Sequence, residues 1–136
     1  MKYKYLDDVA IADIAFRAEG KNLNELFETA ALATEDTMID TKTIKHTLVK
    51  EIEVEEEDIE HLLFKFLSEL VYLKDAELLF FSKFEVNING NKLKAKLFGD
   101  KLNDDMIFKN DIKAITMHML KVEKKEKYYA TIVLDI

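Results

Sequence analysis

The run Leu78 to Ile88 ends on Asn89-Gly90 and is answered by Asn91 to Phe98. Both central residues tolerate positive φ, so the pattern predicts a two-residue β-hairpin. The expected register sets Ile88 against Asn91, Val86 against Leu93 and Phe84 against Ala95 on one face, with Glu85 against Lys94 on the other. Apolar then meets apolar and acid meets base, which is what a cross-strand ladder rewards. The rest of the fold has to be built around that hairpin.

Two helices are predicted before it. Asn22 reads as an N-cap with Glu25 at the third helical position, and Leu23, Leu26, Phe27, Ala30, Ala31, Thr34 and Met38 follow at helical spacing. Glu55-Glu56-Glu57-Asp58 places negative charge at a second N-terminus, where the helix macrodipole favours it. Ile59, Leu62, Leu63, Phe66, Leu67, Leu70 and Leu73 then repeat at helical intervals. Strands are expected over Tyr3–Leu6, Asp13–Ala18, Thr43–Val54, Ile112–Val122 and Tyr128–Ile136, with Thr43–Val54 polar enough for an edge. Asp100 to Asn110 reads as a loop, and Glu123-Lys124-Lys125-Glu126 as a turn. No repeat or linker divides the chain, so residues 1–136 form one domain. Strand, helix, strand, helix, then four strands predict an α+β fold, two main helices packed on one face of a mostly antiparallel sheet.

Composition narrows the function. The chain has 27 acidic and 20 basic residues, a net charge of −7, which opposes stable attachment to a nucleic-acid backbone. It has no cysteine, which excludes disulfides, thiolate catalysis and Cys-type zinc sites. Three glycines and no proline leave little material for a phosphate-cradling loop, and no P-loop or GxGxxG spacing occurs. Neither a membrane-length apolar span nor a secretory leader is visible, so a soluble cytoplasmic protein is expected.

The three histidines are scattered. His61 reads as a helix-boundary residue, His46 as exposed, and His118 as a hydrogen-bonded strand residue. The apolar run Tyr128 to Leu134 carries Asp135 and the α-carboxylate of Ile136 to the very end of the sequence. Termini normally fray, so an end patterned as a strand stands out. If that strand meets the one opened by Asp13, three carboxylates converge. Such a group is either a hard-cation site or an electrostatic liability. The acids Asp7, Asp8 and Asp13 could equally be turn residues satisfying their own backbone.

These residues carry a family resemblance along nearly the whole chain. Tyr5-Leu6-Asp7-Asp8 through Ala12-Asp13-Ile14, Leu23-Asn24-Glu25-Leu26-Phe27 with Ala30-Ala31, Leu67-Ser68-Glu69-Leu70, Asp111 to His118 and Leu134-Asp135-Ile136 resemble, in order, the archease pattern. The resemblance implies a non-catalytic accessory protein of the GTP-dependent tRNA-splicing RNA ligase, which promotes guanylylation of the ligase histidine and multiple turnover. It also implies metal ligation by Asp13, Asp135 and Ile136, with Ca²⁺ the expected cation and Mg²⁺ or Mn²⁺ as alternatives. There are departures. Asp8-Val9-Ala10-Ile11-Ala12-Asp13 stands where many relatives have a compact His-Thr-Ala-Asp run, and the histidine often found before the Lys-Ala-Ile-Thr strand is absent, with Phe108 nearby. Alternatives at this point are a chaperone or interaction module for another RNA-processing enzyme, such as a tRNA methyltransferase, and a small metal-dependent hydrolase. Association of identical chains is left open.

Overall fold

A computed structural model describes residues 1–6 and 13–136. In chain order the elements are β1 (Lys2–Leu6), β2 (Asp13–Gly20), α1 (Leu23–Met38), a 3-10 turn (Thr41–Thr43), β3 (Leu48–Glu55), α2 (Ile59–Glu77), β4 (Leu79–Asn89), β5 (Lys92–Lys101), β6 (Ala114–Lys124) and β7 (Tyr128–Asp135). The fold is α+β, and every strand pairing is antiparallel. No helix among the described residues is long and apolar enough to cross a membrane.

The strands divide between two sheets, ordered β1-β2-β7-β6 and β3-β5-β4, where the sequence pattern suggested one. Helix side chains account for the division. The amides of Val86 and Ile88 on β4 donate to Glu28 Oε2 and Asn24 Oδ1 of α1, each at 2.9 Å. On β6 the Val122 amide donates to Glu60 Oε2 of α2 at 2.8 Å. Edge amides already satisfied this way have no need of a neighbouring strand.

Both helices start as their capping residues dictate. Asn22 accepts from the Glu25 amide at 2.9 Å, and Asp58 from the His61 amide at 2.8 Å. Between the helices Phe27 stacks on Phe66 with centroids 6.0 Å apart. Phe16 of β2 and Phe81 of β4 are fully buried with them, so the core joins both sheets through the helices.

Local turn chemistry moves two expected boundaries. The hairpin turns at Gly90-Asn91, with Ile88 opposite Leu93, Val86 opposite Ala95, Phe84 opposite Leu97 and Glu85 opposite Lys96. Only Gly90 of the pair has positive φ, at 64°, as a glycine-first turn requires. The change is two residues, an even slip, so the apolar face is kept. At Thr43–Val54 the first half is not strand. Asp40 accepts from the Lys42 amide at 3.1 Å and caps the 3-10 turn, which delays β3 to Leu48; β3 is an edge strand, as its polarity indicated. At Gly99 of β5 a Cβ would collide with the Phe80 carbonyl, which allows the bulged β4 to pack close.

Candidate functional site

Antiparallel pairing of β2 with β7 sets Asp13 directly opposite Asp135, followed by Ile14 with Leu134, Ala15 with Val133 and Phe16 with Ile132. Phe16, Ile132 and Leu134 belong to the core, so alternation puts Asp13 and Asp135 together on the other face. Directly opposed residues bring their Cβ atoms to about 4.5–5.5 Å, within which two carboxylates repel. Asp135 is held from both sides. Ala114 of β6 stands opposite it, and the Asp135 carbonyl accepts from the Lys113 amide at 2.7 Å. Ile136 follows at once, its side chain partly buried against the core. The structure thus joins Asp13 to Asp135 by register and fixes Ile136 beside them in sequence.

Neither Asp13 nor Asp135 has an ion-pair partner among the described residues. No group of three His, Cys, Asp or Glu side chains there is placed to hold a metal ion. A cation at this end of the sheet would therefore draw further donors from main-chain or terminal oxygens. All-oxygen donors of this kind match Ca²⁺, Mg²⁺ or Mn²⁺ and disfavour zinc. Asp7 and Asp8, also considered from sequence, lie outside the described residues.

Asp13 also borders a cleft of about 350 Å³ shared with Tyr5, Asp36, Lys109 and Asn110. Asp36 of α1 was not singled out by the sequence pattern. It accepts from Tyr3 Oη at 3.0 Å and from the Thr41 amide and Oγ1 at 3.2 and 3.1 Å, and it pairs with Lys109 Nζ at 3.3 Å. Burial pushes its carboxyl up, but the bonds from Thr41, Tyr3 and Lys109 outweigh it and hold the group below the usual carboxylate range. Conversely, burial and then Asp36 push the Tyr3 phenol up. Asp36 is an occupied structural anion bracing β1 against α1. The only sequence signal for it was the alternation that turns Tyr3 and Tyr5 toward the helix.

The histidines lie elsewhere. His46 is exposed, with Nε2 2.7 Å from Ser82 Oγ. His61 Nδ1 lies 2.8 Å from Asp58 Oδ2, and that hydrogen bond raises the imidazole above its ordinary range. His118 is exposed in the stretch between Thr116 and Lys121 where β6 leaves register with β7, and Met119 beside it has φ 61°.

The comparisons with known proteins agree on one family. Residues 3–136 match the model of the Archease protein family. "Protein archease" of Archaeoglobus fulgidus is 43% identical over 140 residues covering all of both chains, and that of Thermococcus kodakarensis is 46% identical over 118 residues, 83% of each. Among solved structures, the solution structure of protein 1598 of Methanobacterium thermoautotrophicum superposes with a TM-score of 0.86 at 31% identity, covering 98% of both chains. The crystal structure of an archease, "possible chaperone", from Thermotoga maritima gives 0.68 at 25% identity, covering 93% of each.

Proposed function

The chain belongs to the archease family, and from that premise we propose that it is a metal-binding accessory factor of the GTP-dependent tRNA-splicing RNA ligase, promoting guanylylation of the ligase and its multiple turnover. The observation that carries this reading is the Asp13–Asp135 register, two carboxylates facing each other across β2 and β7, neither with an ion-pair partner among the described residues. Opposed anions without a counter-ion cost stability unless something positive binds. An accessory role also agrees with the wording "possible chaperone" used of the Thermotoga relative.

Asp13, Asp135 and the α-carboxylate of Ile136 would hold the cation. When bound it would supply a hard positive charge suited to phosphate oxygens. The chain's own part is positional. The two flanking strands fix Asp135, pairing with β7 fixes Asp13, and together they present the acids at one end of a rigid sheet instead of on a loop. Docked against the ligase, that end would help place the metal or nucleotide for attack by the ligase histidine.

The test is stimulation of a cognate ligase, read as single-turnover guanylylation and multiple-turnover ligation. Asp13→Ala and Asp135→Ala should each keep or raise the unfolding midpoint in metal-free buffer, since each removes one of two repelling charges, and should lose the stimulation. Normal stimulation by both variants sinks the proposal.

A further inference from the structure

We propose that the outer face of the four-stranded sheet carries a phosphate-binding site, formed by Lys4, Arg17 and Lys2 around Tyr129. Strand register puts Lys4 directly opposite Arg17, and Arg17 directly opposite Thr131. The next row sets Lys2 opposite Glu19 and Glu19 opposite Tyr129. These positions alternate with the core-facing Tyr3, Phe16 and Ala18, so they share the solvent side of the sheet. A cavity of about 230 Å³ lies there, lined by Lys2, Lys4, Arg17, Glu19 and Tyr129.

The charge arrangement calls for an anion. Cross-strand pairs of like charge destabilise a sheet, and Lys4 against Arg17 is such a pair. The nearby carboxylate is already occupied, because Glu19 is met by Lys2 Nζ at 3.2 Å and by Lys127 Nζ at 3.9 Å. Lys121, opposite Thr131 on the far side, is held by Glu123 at 3.0 Å. Among the described residues neither Lys4 nor Arg17 forms a direct ion pair; Glu123, whose carboxyl is lowered mainly by the Lys121 hydrogen bond and in part by the Arg17 charge, is engaged by Lys121 and Lys125. Lys2, Lys4, Arg17 and Lys127 therefore gather around Glu19, with Glu123, itself paired to Lys121 and Lys125, next in the row, on a protein whose net charge is −7.

Arg17 is also pre-set for binding. Its guanidinium carbon lies 4.4 Å from the centroid of the Tyr129 ring, a stacking that fixes the plane and leaves N–H groups free for a two-point contact with an oxyanion. A phosphate dianion neutralises both unmatched cations at once, whereas one carboxylate neutralises one. The site is about 13 Å from the Asp13 row, at about 3.3 Å of strand rise per residue. It is too small for a nucleic-acid backbone, so a single phosphate group of a larger ligand is its occupant. The proposal does not depend on the identity of any partner enzyme.

The probe is inorganic phosphate titrated into the isolated protein at constant ionic strength, with chloride and acetate as matched controls, followed by amide NMR shifts. Saturable shifts are expected at Lys4, Arg17 and Tyr129. Binding should be at least about threefold tighter at pH 7.5 than at pH 5.5, because a phosphate monoanion gives up its second proton near pH 6–7. Lys4→Met with Arg17→Met should weaken binding by about tenfold or more. Arg17→Lys alone, which keeps the charge and loses the fork, should fall between. Phosphate shifts no larger than those of chloride, shifts that persist in the double variant, or equal competition by acetate would each overturn the proposal. Ligase stimulation measured on the same double variant is a separate readout, so failure here leaves the accessory-factor reading standing.

Discussion

Among the described residues, Glu35 is the one ionisable side chain whose buried polar atoms lack a hydrogen-bond partner. It is fully buried on α1, and neither carboxyl oxygen completes a hydrogen bond. Burial pushes the carboxyl well above the ordinary range, and the Phe81 backbone and the Lys74 charge offset this only in part. The native state therefore holds a proton that the unfolded chain releases once pH exceeds the normal glutamate range. Folding stability from this residue is greatest in acid and falls as pH rises through that range toward the raised native value. Glu35→Met should gain about 1–3 kcal/mol at neutral pH, the usual cost of a buried unsatisfied polar group, and its advantage over wild type should grow between pH 4 and pH 7. Thermal unfolding across that range checks it; a constant difference would show that Glu35 holds no such proton. The sequence could not disclose this. Glu35, Asp36 and Thr37 fall outside the stripe that runs through Thr34 and Met38, yet α1 packs on both sheets, so Thr29, Ala33, Glu35 and Thr37 are buried along with that stripe.

At the scale of elements, what was legible followed from periodicity and capping. Both helices and the Asn22 cap are where the pattern puts them, the acid run ending at Asp58 does mark the start of α2, and the hairpin forms with its turn at Gly90-Asn91 instead of Asn89-Gly90. What was not legible depended on partners distant in sequence. Nothing in the letters of Asn24, Glu28 and Glu60 shows that they cap strand edges, and so nothing showed two sheets in place of one. The departure of β6 from register at Met117–Leu120 is likewise silent, because Ile115, Met117 and Met119 alternate as an ordinary strand would. One cap is imperfect. Helix α2 ends at Leu78 in the left-handed region, φ 57°, with its amide donating to the Lys74 carbonyl at 3.1 Å. A leucine side chain is strained there by about 1–2 kcal/mol, and this one is largely exposed. Leu78→Gly should stabilise the protein by about 1 kcal/mol in a denaturant titration, with little packing lost. A loss of stability instead would mean that the side chain earns its place by contact.

For the molecule as a whole, the Asp13–Asp135 meeting was the part of the candidate site open to sequence, because two strands at opposite ends of the chain needed only to pair in register to make it. Asp36 and Lys109, which shape the neighbouring cleft, required the helix packing to be seen. The proposed role of the Ile136 carboxylate leads to a test of chain architecture. Appending residues after Ile136 should reduce ligase stimulation severalfold and diminish any rise of the unfolding midpoint in millimolar Ca²⁺, whereas a tag ahead of Met1 should preserve both. An extended protein with full stimulation and an undiminished Ca²⁺ response would limit Ile136 to packing.

The free edge of β3 decides how copies of this protein behave when concentrated. Along its solvent face β3 presents Val49, Glu51, Glu53 and Glu55, matched within the sheet by Phe98, Lys96, Lys94 and Lys92. Two copies meeting edge to edge in antiparallel fashion would oppose glutamate to glutamate wherever these residues overlap, which penalises growth into ribbons. The same strand that zips firmly to its own lysine-bearing neighbour is thereby a poor template for itself, and crowded solutions of the folded protein should stay clear of fibrils seeded at that edge.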